Sequence, residues 1–414
     1  MILLAKIGVS IDVVRKGNMK KFHFDGPTWT FLTPEQMYDE EGKLREAHKY
    51  YQNADIYFLT IMRKCLFDPS KTRVSLNGNI NCEILVGDPA NKKFERVRVS
   101  YPLPEIWYAM PSVKARFKSR NEFFFTVLFN QYTPKSGIKR KCFLALRKLM
   151  KKGYISSNMG IKMLVAIYST EISVRHENRY EINIFDPLVK SMTDDDKAEQ
   201  ARKKDPKLYA LDDLEWDIER KKGVDFTKLP GADSNENCRL KVDQIVNYFN
   251  VDIGGQRIAY IGKTEQEPFE RLFPHTKLNE LNGKLSINEF ESLVLHLFGF
   301  MYWDEPTNPF NPSSSISKSD AITVAEAELI NYFKPPKNDD YVKDKGKPKW
   351  KHIRDLKRRG YKKIVGLVDI EGQYAKFFTS HIEGKGSNRH EIEIDLSRYP
   401  SVQQKNTSDS QANR

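Results

Sequence analysis

Cysteine is scarce. Cys65, Cys82, Cys142 and Cys238 are the only four in 414 residues, widely scattered, with no CxxC pair and no clustered histidines beside them. That excludes a disulfide framework and a zinc ribbon as organising devices and fits a reducing, cytoplasmic location. Long hydrophobic runs are missing as well. The opening stretch from Met1 to Val14 is apolar only in pieces, interrupted by Lys6 and Asp12. It is too short and too charged for a signal peptide or a membrane span, and reads as a first buried strand. No internal repeat is present. Acid is the scarcer charge: 55 Asp and Glu stand against 68 Lys and Arg, for a net +13 at pH 7, a balance that suits a polyanionic partner and a merely basic soluble surface equally well. One motif also lacks its register. Gly262-Lys263-Thr264 has the letters that close a nucleotide-binding loop, but such a loop needs a glycine about five residues earlier to curl backbone N–H groups around phosphate. That position is Arg257, and Ile258 to Ile261 reads as a strand, which opposes an NTPase.

What is present is enough apolar material, 39% of residues with 12% aromatic, for one or two sizeable cores. Strand-like and helix-like pieces alternate up to about Phe185, among them CEILVGD, FERVRVSY, MLVAIYST and RYEINIFD. They predict an N-terminal mixed α+β domain over residues 1–190. A highly charged connector, 191–235, ends near Pro230-Gly231, and a second domain is expected over 236–400. The last residues, 401–414, have the polar composition of a disordered tail. Strand-like IVGLVDI, YAKFFTS and HEIEIDL form a C-terminal extension of the second domain. Two basic clusters stand out. One joins Lys114 to Arg120 with Lys139, Arg140, Lys141, Arg147, Lys148, Lys151 and Lys152. The other, Lys334 to Lys363, sets Lys349, Trp350, Lys351, Arg354, Lys357, Arg358 and Arg359 among His352 and Tyr361. Such interleaving suits phosphate contact with some stacking, although a solvated helix face has the same composition.

A more specific pattern begins at Tyr260-Ile261-Gly262. Arg271 and His275 follow four residues apart, on one face of a helix if the segment is helical. Then comes VAEAELINYFKPPKND, with Glu326 on an apparent helix among Val324, Leu329, Ile330 and Phe333, Pro335 as its stop, and Asn338 just beyond. In this order the residues resemble the GIY-YIG nuclease superfamily, over about Val242 to Asn338. The resemblance gives Tyr260-Ile261-Gly262 as the second half-motif, followed by Lys263. Arg271 and His275 match the family's arginine and histidine, Glu326 its metal-binding glutamate and Asn338 its terminal asparagine. The GIY tripeptide is missing from its place. In the family it stands on a strand paired in a hairpin with the YIG strand; here Asn247-Tyr248-Phe249 precedes Tyr260, with Asp252 to Gln256 (DIGGQ) supplying turn glycines. Tyr248 is therefore expected in the first tyrosine's position.

The fold class expected is α+β: the N-terminal domain, then a small GIY-YIG-like α/β domain with a short antiparallel sheet flanked by helices. The activity implied is a metal-dependent endonuclease hydrolysing DNA phosphodiesters, most simply in double-stranded DNA. Restriction, phage defence and a mobile element would each suit it. The chemistry asks for such groups. A phosphodiester needs a nucleophilic water, neutralised phosphoryl oxygens and a stabilised leaving oxygen. Glu326 would hold Mg²⁺ or Mn²⁺, since a hard cation takes oxygen ligands and Mg²⁺ often takes only one or two carboxylates. Arg271 would grip the phosphate by its planar fork. Tyr260 or Tyr248 would activate water once positive charge from the metal, Arg271 and Lys263 lowers a pKa near 10, while His275 orients the water or relays the proton. Gly262 and Asn338 would position the site. The other reading is a nucleic-acid-binding protein that keeps the fold and no longer cuts.

Overall fold

Ile56 to Met62, IYFLTIM, carries no charge and is buried at every position. A strand apolar on both faces belongs in the middle of a sheet, and that is where it lies. The computed structural model describes residues 19–33, 54–109, 117–134, 137–187, 237–264, 288–305, 314–338, 351–382 and 386–399, with isolated positions at 114, 280, 281 and 283. The expected first strand in Met1 to Val14, the charged connector and the terminal tail lie outside the described residues.

In chain order the strands are β1 (Lys21–Leu32), β2 (Ile56–Arg63), β3 (Cys65–Phe67), β4 (Arg73–Val74), β5 (Ile80–Asp88) and β6 (Lys93–Tyr101). Helices α1 (Leu103–Ala109), α2 (Arg120–Thr126), α3 (Gly137–Lys151) and α4 (Ser157–Ser169) follow, then β7 (Ser173–His176), β8 (Glu181–Phe185), β9 (Asn237–Lys241) and α5 (Val242–Tyr248). The remainder is β10 (Gln256–Lys263), β11 (Glu291–Glu305), α6 (Lys318–Phe333), α7 (Lys351–Arg358), β12 (Lys363–Asp369), β13 (Phe377–Phe378) and β14 (Arg389–Asp395). The class is mixed α+β, with a curled seven-stranded mixed sheet forming half of a barrel.

That sheet has the order β13-β10-β2-β11-β1-β12-β14. Its centre, β10-β2-β11-β1, is antiparallel throughout; β12 joins β1 and β13 joins β10 in parallel. The strands before and after the expected connector therefore share one sheet, and the division at 191–235 does not separate them. The chain leaves the sheet after Arg63 and re-enters it at Gln256. Most of what lies between, from Cys65 to Ile253, packs around its own core of Phe67, Trp107, Phe123, Phe143, Tyr168 and their neighbours. The two faces of the large sheet build the other two cores, one with α6 and α7, the other around Tyr57, Leu59, Leu295 and Leu281. Among the described residues no helix is long and apolar enough to cross a membrane.

A buried polar chain ties four of these strands together. Thr60 of β2 donates to Gln256 Oε1 of β10 at 2.8 Å, His296 Nε2 of β11 lies 2.9 Å from the Thr60 hydroxyl, and Trp29 Nε1 of β1 donates to His296 Nδ1 at 3.3 Å. One tautomer satisfies all three contacts: Nε2 protonated and donating, Nδ1 bare and accepting. A second proton would face the indole N–H. Burial accordingly pushes the His296 pKa down to about 3. An unfolded histidine takes its proton near pH 6.5, so below that value the unfolded chain binds a proton that the folded one refuses. Stability should fall as pH drops from about 6.5 toward 3, by up to ~1.4 kcal/mol per pH unit from this group. Urea titrations between about pH 6 and pH 4 test it. His296→Gln should be less stable at neutral pH yet lose stability less steeply on acidification, and equal slopes would assign the pH dependence to other groups.

Candidate functional site at the edge of β10

QRIAYIGK forms β10 because its apolar residues suit a strand buried between β2 and flanking layers. A register shift between Ile258 and Tyr260 puts two residues against one on the partner strand, a bulge that re-aims the rest of the strand. Beyond the bulge, Tyr260 pairs with Leu59 and Gly262 with Tyr57 on one face, while Ile261 pairs with Phe58 and Lys263 with Ile56 on the other. Along its outer side, β13 reaches only Gln256 and Arg257. Among the described residues, β10 is thus an edge from Ala259 onward.

That edge is closed by the end of the segment that resembles the nuclease motif. Pro335 follows the last turn of α6, and the chain comes back along β10. Lys337 N–H donates to Ala259 O at 3.1 Å. Asn338, 6% exposed, takes both backbone groups of Ile261: its Nδ2 donates to Ile261 O at 2.7 Å and its Oδ1 accepts from Ile261 N–H at 2.9 Å. The carboxamide acts as a one-residue strand. It fixes the height of the YIG residues against the C-terminal end of α6.

Helix α6 starts with Ser317 capping Asp320 N–H and lies on the Ile261 and Lys263 face. Lys263 Nζ donates to Thr323 Oγ1 at 2.8 Å. Glu326 is one turn further along the same side of the helix and is only 9% exposed. Two residues on, and so round the helix, Glu328 is fully buried with His352 Nε2 of α7 at 3.7 Å; burial raises its carboxyl pKa. Glu328 thus joins two helices, whereas Glu326 belongs to the side that faces the end of β10. The lysine of GKT lies in a strand, against a helix.

The opposite face holds the tyrosines. Tyr57 and Tyr260 have ring centroids 6.0 Å apart, and Tyr57 is 1% exposed. A Cβ added to Gly262 would come within 2.5 Å of Tyr57 Cζ and Oη. The glycine is required because the phenol lies across its backbone. Gly262→Ala should push the Tyr57 ring off its rotamer and cost about 1–3 kcal/mol, as overpacked cores do. Thermal melts would show it, and an unchanged melting point would mean that the ring has room to move.

Tyr248 is not where the hairpin expectation put it. Asn247-Tyr248-Phe249 lies at the end of α5, because Val242, Ile245 and Val246 recur at helical spacing and are buried together. Its ring packs edge-on against Tyr101 at 5.3 Å and Phe249 at 4.9 Å in the core of the inserted region. The strand paired with β10 on its inner side is β2 instead, and the tyrosine it brings is Tyr57, in Asp55-Ile56-Tyr57. Two of the three letters of GIY were present in the sequence; the separation of just over two hundred residues from Tyr260 hid them.

Arg271 and His275 fall outside the described residues. The ends of that segment are in place: Thr264 donates to Ala54 O at 3.2 Å, and Leu281 is buried on the Tyr57 face. Of the basic cluster, Lys349 and Trp350 lie outside the described residues, as does the Lys351 side chain. In α7, Ile353 and Leu356 point into the core and Lys357 Nζ donates to Tyr399 O at 2.5 Å; just past its end, Arg359 donates to Ser315 O at 3.3 Å. Arg354 and Arg358 are exposed, the latter 3.5 Å from Asp355. Part of this cluster therefore anchors the helix. Among the described residues no group of three or more His, Cys, Asp or Glu could by itself hold a metal ion. No family model, curated protein or solved structure matches the chain.

Proposed function

We propose that the chain is a metal-dependent endonuclease that hydrolyses DNA phosphodiesters at the edge of β10. The observation that carries this reading is the partner of the YIG strand. The resemblance asks for a tyrosine on a neighbouring antiparallel strand; β2 is that neighbour, and Tyr57 lies beside Tyr260 and over Gly262. The three-stranded unit β10-β2-β11, followed in sequence by a helix that carries a buried glutamate and by a clamped asparagine, agrees with the same reading.

The donor set suits Mg²⁺ or Mn²⁺ held by one carboxylate. Glu326 is a single, mostly buried oxygen ligand, and phosphate oxygens and water complete the shell in such sites. A bound metal would neutralise charge on the phosphoryl and leaving oxygens. The chain's own groups divide the remaining work. Lys263, held by Thr323, supplies fixed positive charge. Asn338 keeps the YIG residues at constant height relative to α6. The half-buried Tyr260 and the buried Tyr57 lie on the face of β10 opposite α6, so their part in water activation, like the parts of Arg271 and His275, is the one the resemblance gives them. The test is nicking of supercoiled plasmid by the full chain in Mg²⁺, with and without chelator. Absence of nicking by a folded protein that still binds DNA would favour the non-cutting reading.

A further inference from the structure

We infer that the outward face of α3, with the turn into α4, is the docking surface for the phosphate backbone of double-stranded DNA. DNA as the polyanion rests on the nuclease reading above; the cationic surface itself does not. From Phe123 to Thr170 the sequence contains no Asp or Glu, yet holds nine lysines and arginines. The fold sorts these cations. Arg147 turns inward, donating to Leu128 O at 2.6 Å and Thr133 Oγ1 at 3.1 Å, with its guanidinium 4.7 Å from the Phe143 ring centre. Phe143 and Leu146 are buried beside it. Lys141, Lys148 and Lys152 remain exposed, and their spacing puts them on one side of the helix.

At 1.5 Å per residue, Lys141 to Lys152 covers ~16 Å, enough to reach phosphates flanking a major groove about 12 Å wide. Glu171 pairs with Lys139 at 3.2 Å; no described carboxylate pairs with Lys141, Lys148, Lys152 or Lys162, so their field is uncompensated. Helices α3 and α4 are joined by a short turn in which Gly153 has φ +74°, and Ser156 caps α4, so the two helices follow each other closely in the chain. Leu144, Leu149, Met159 and Met163 are also exposed here. A protein partner would use those apolar groups, but protein interfaces are depleted in lysine. The density of lysine without acid favours phosphate. The inserted region would thus hold the duplex while the split sheet cuts it.

The test uses the full chain in chelator, which separates binding from cutting, with a fluorescent duplex of roughly 30 base pairs titrated at several salt concentrations. The triple variant Lys141→Ala, Lys148→Ala, Lys152→Ala should weaken binding about tenfold or more near 0.1 M salt and lower the slope of log K against log salt by about 2–3, since each phosphate contact contributes ~0.9. A control triple on the sheet that β3, β4, β5 and β6 form, Lys71→Ala, Lys92→Ala, Lys93→Ala, should leave both unchanged. All six lysines are exposed, so melting temperatures should hold. Independently, duplex should slow alkylation of the exposed Cys142, read at its own peptide. Equal affinity and slope in both triples, or an unprotected Cys142 at saturating duplex, overturns the inference. Loss of binding in the α3 triple with no plasmid nicking by the unmodified chain keeps the surface and removes the nuclease; unchanged binding with nicking intact does the reverse.

Discussion

Glu326→Gln should abolish Mg²⁺-dependent nicking while leaving duplex affinity equal or slightly higher. Glutamine has nearly the shape of glutamate, so a side chain 9% exposed between Ala325 and Ala327 can be exchanged without opening a cavity. What changes is one negative charge on the side of α6 where Lys263 meets Thr323. A metal site with a single protein carboxylate loses its anchor with that charge, and the rate should fall about a thousandfold or more, the scale of several kcal/mol of transition-state stabilisation. DNA loses a repulsive neighbour, hence the unchanged or tighter binding. Glu328→Gln is the matched control. It lies two residues away and is more deeply buried, but it faces His352 and α7, so it should alter stability and leave the nicking rate of the folded fraction alone. Full nicking by Glu326→Gln would place the metal, and the site, elsewhere.

The elements around this carboxylate were legible in the sequence because their signals are local. Val324, Leu329, Ile330 and Phe333 set a helix, Pro335 ends it, and Ile258 to Ile261 forms a strand whatever its neighbours. The α+β class followed from the same alternation. Strand pairing is not local. Nothing in ADIYFLTI says that its partner is Ile258 to Lys263 across a region that folds on its own, and a motif search limited to hairpin distance settles on the nearest tyrosine. The DIGGQ turn encouraged that choice, although Val242, Ile245 and Val246 had the helical spacing that placed Tyr248 in α5. Around α7 the same limit applies. Composition shows that Lys357 and Arg359 are cations, but only tertiary structure shows that they are spent on backbone carbonyls.

The tyrosine at the β2–β10 pair is where the reading is most exposed to test. Tyr57→Phe should reduce nicking by on the order of a hundredfold or more, the range of general acid–base assistance. The ring is kept, so packing against Tyr260 at 6.0 Å and the tight approach over Gly262 survive; only the hydroxyl is lost, a change on the scale of ~1 kcal/mol for one polar group. Tyr248→Phe should nick at the wild-type rate, because its ring packs with Tyr101 and Phe249 in the inserted core. Tyr260→Phe separates two arrangements. If both hydroxyls order one water, either single variant is severely slowed and the double variant is little worse than the slower single, as for residues that act as a unit. If one tyrosine is the base and the other packs beside it, only one variant is slow. Melting curves on all four proteins keep a folding defect from passing as a catalytic one. Normal rates in both Tyr57→Phe and Tyr260→Phe would make the hydroxyls structural, and the chemistry proposed for the β10 edge would be wrong.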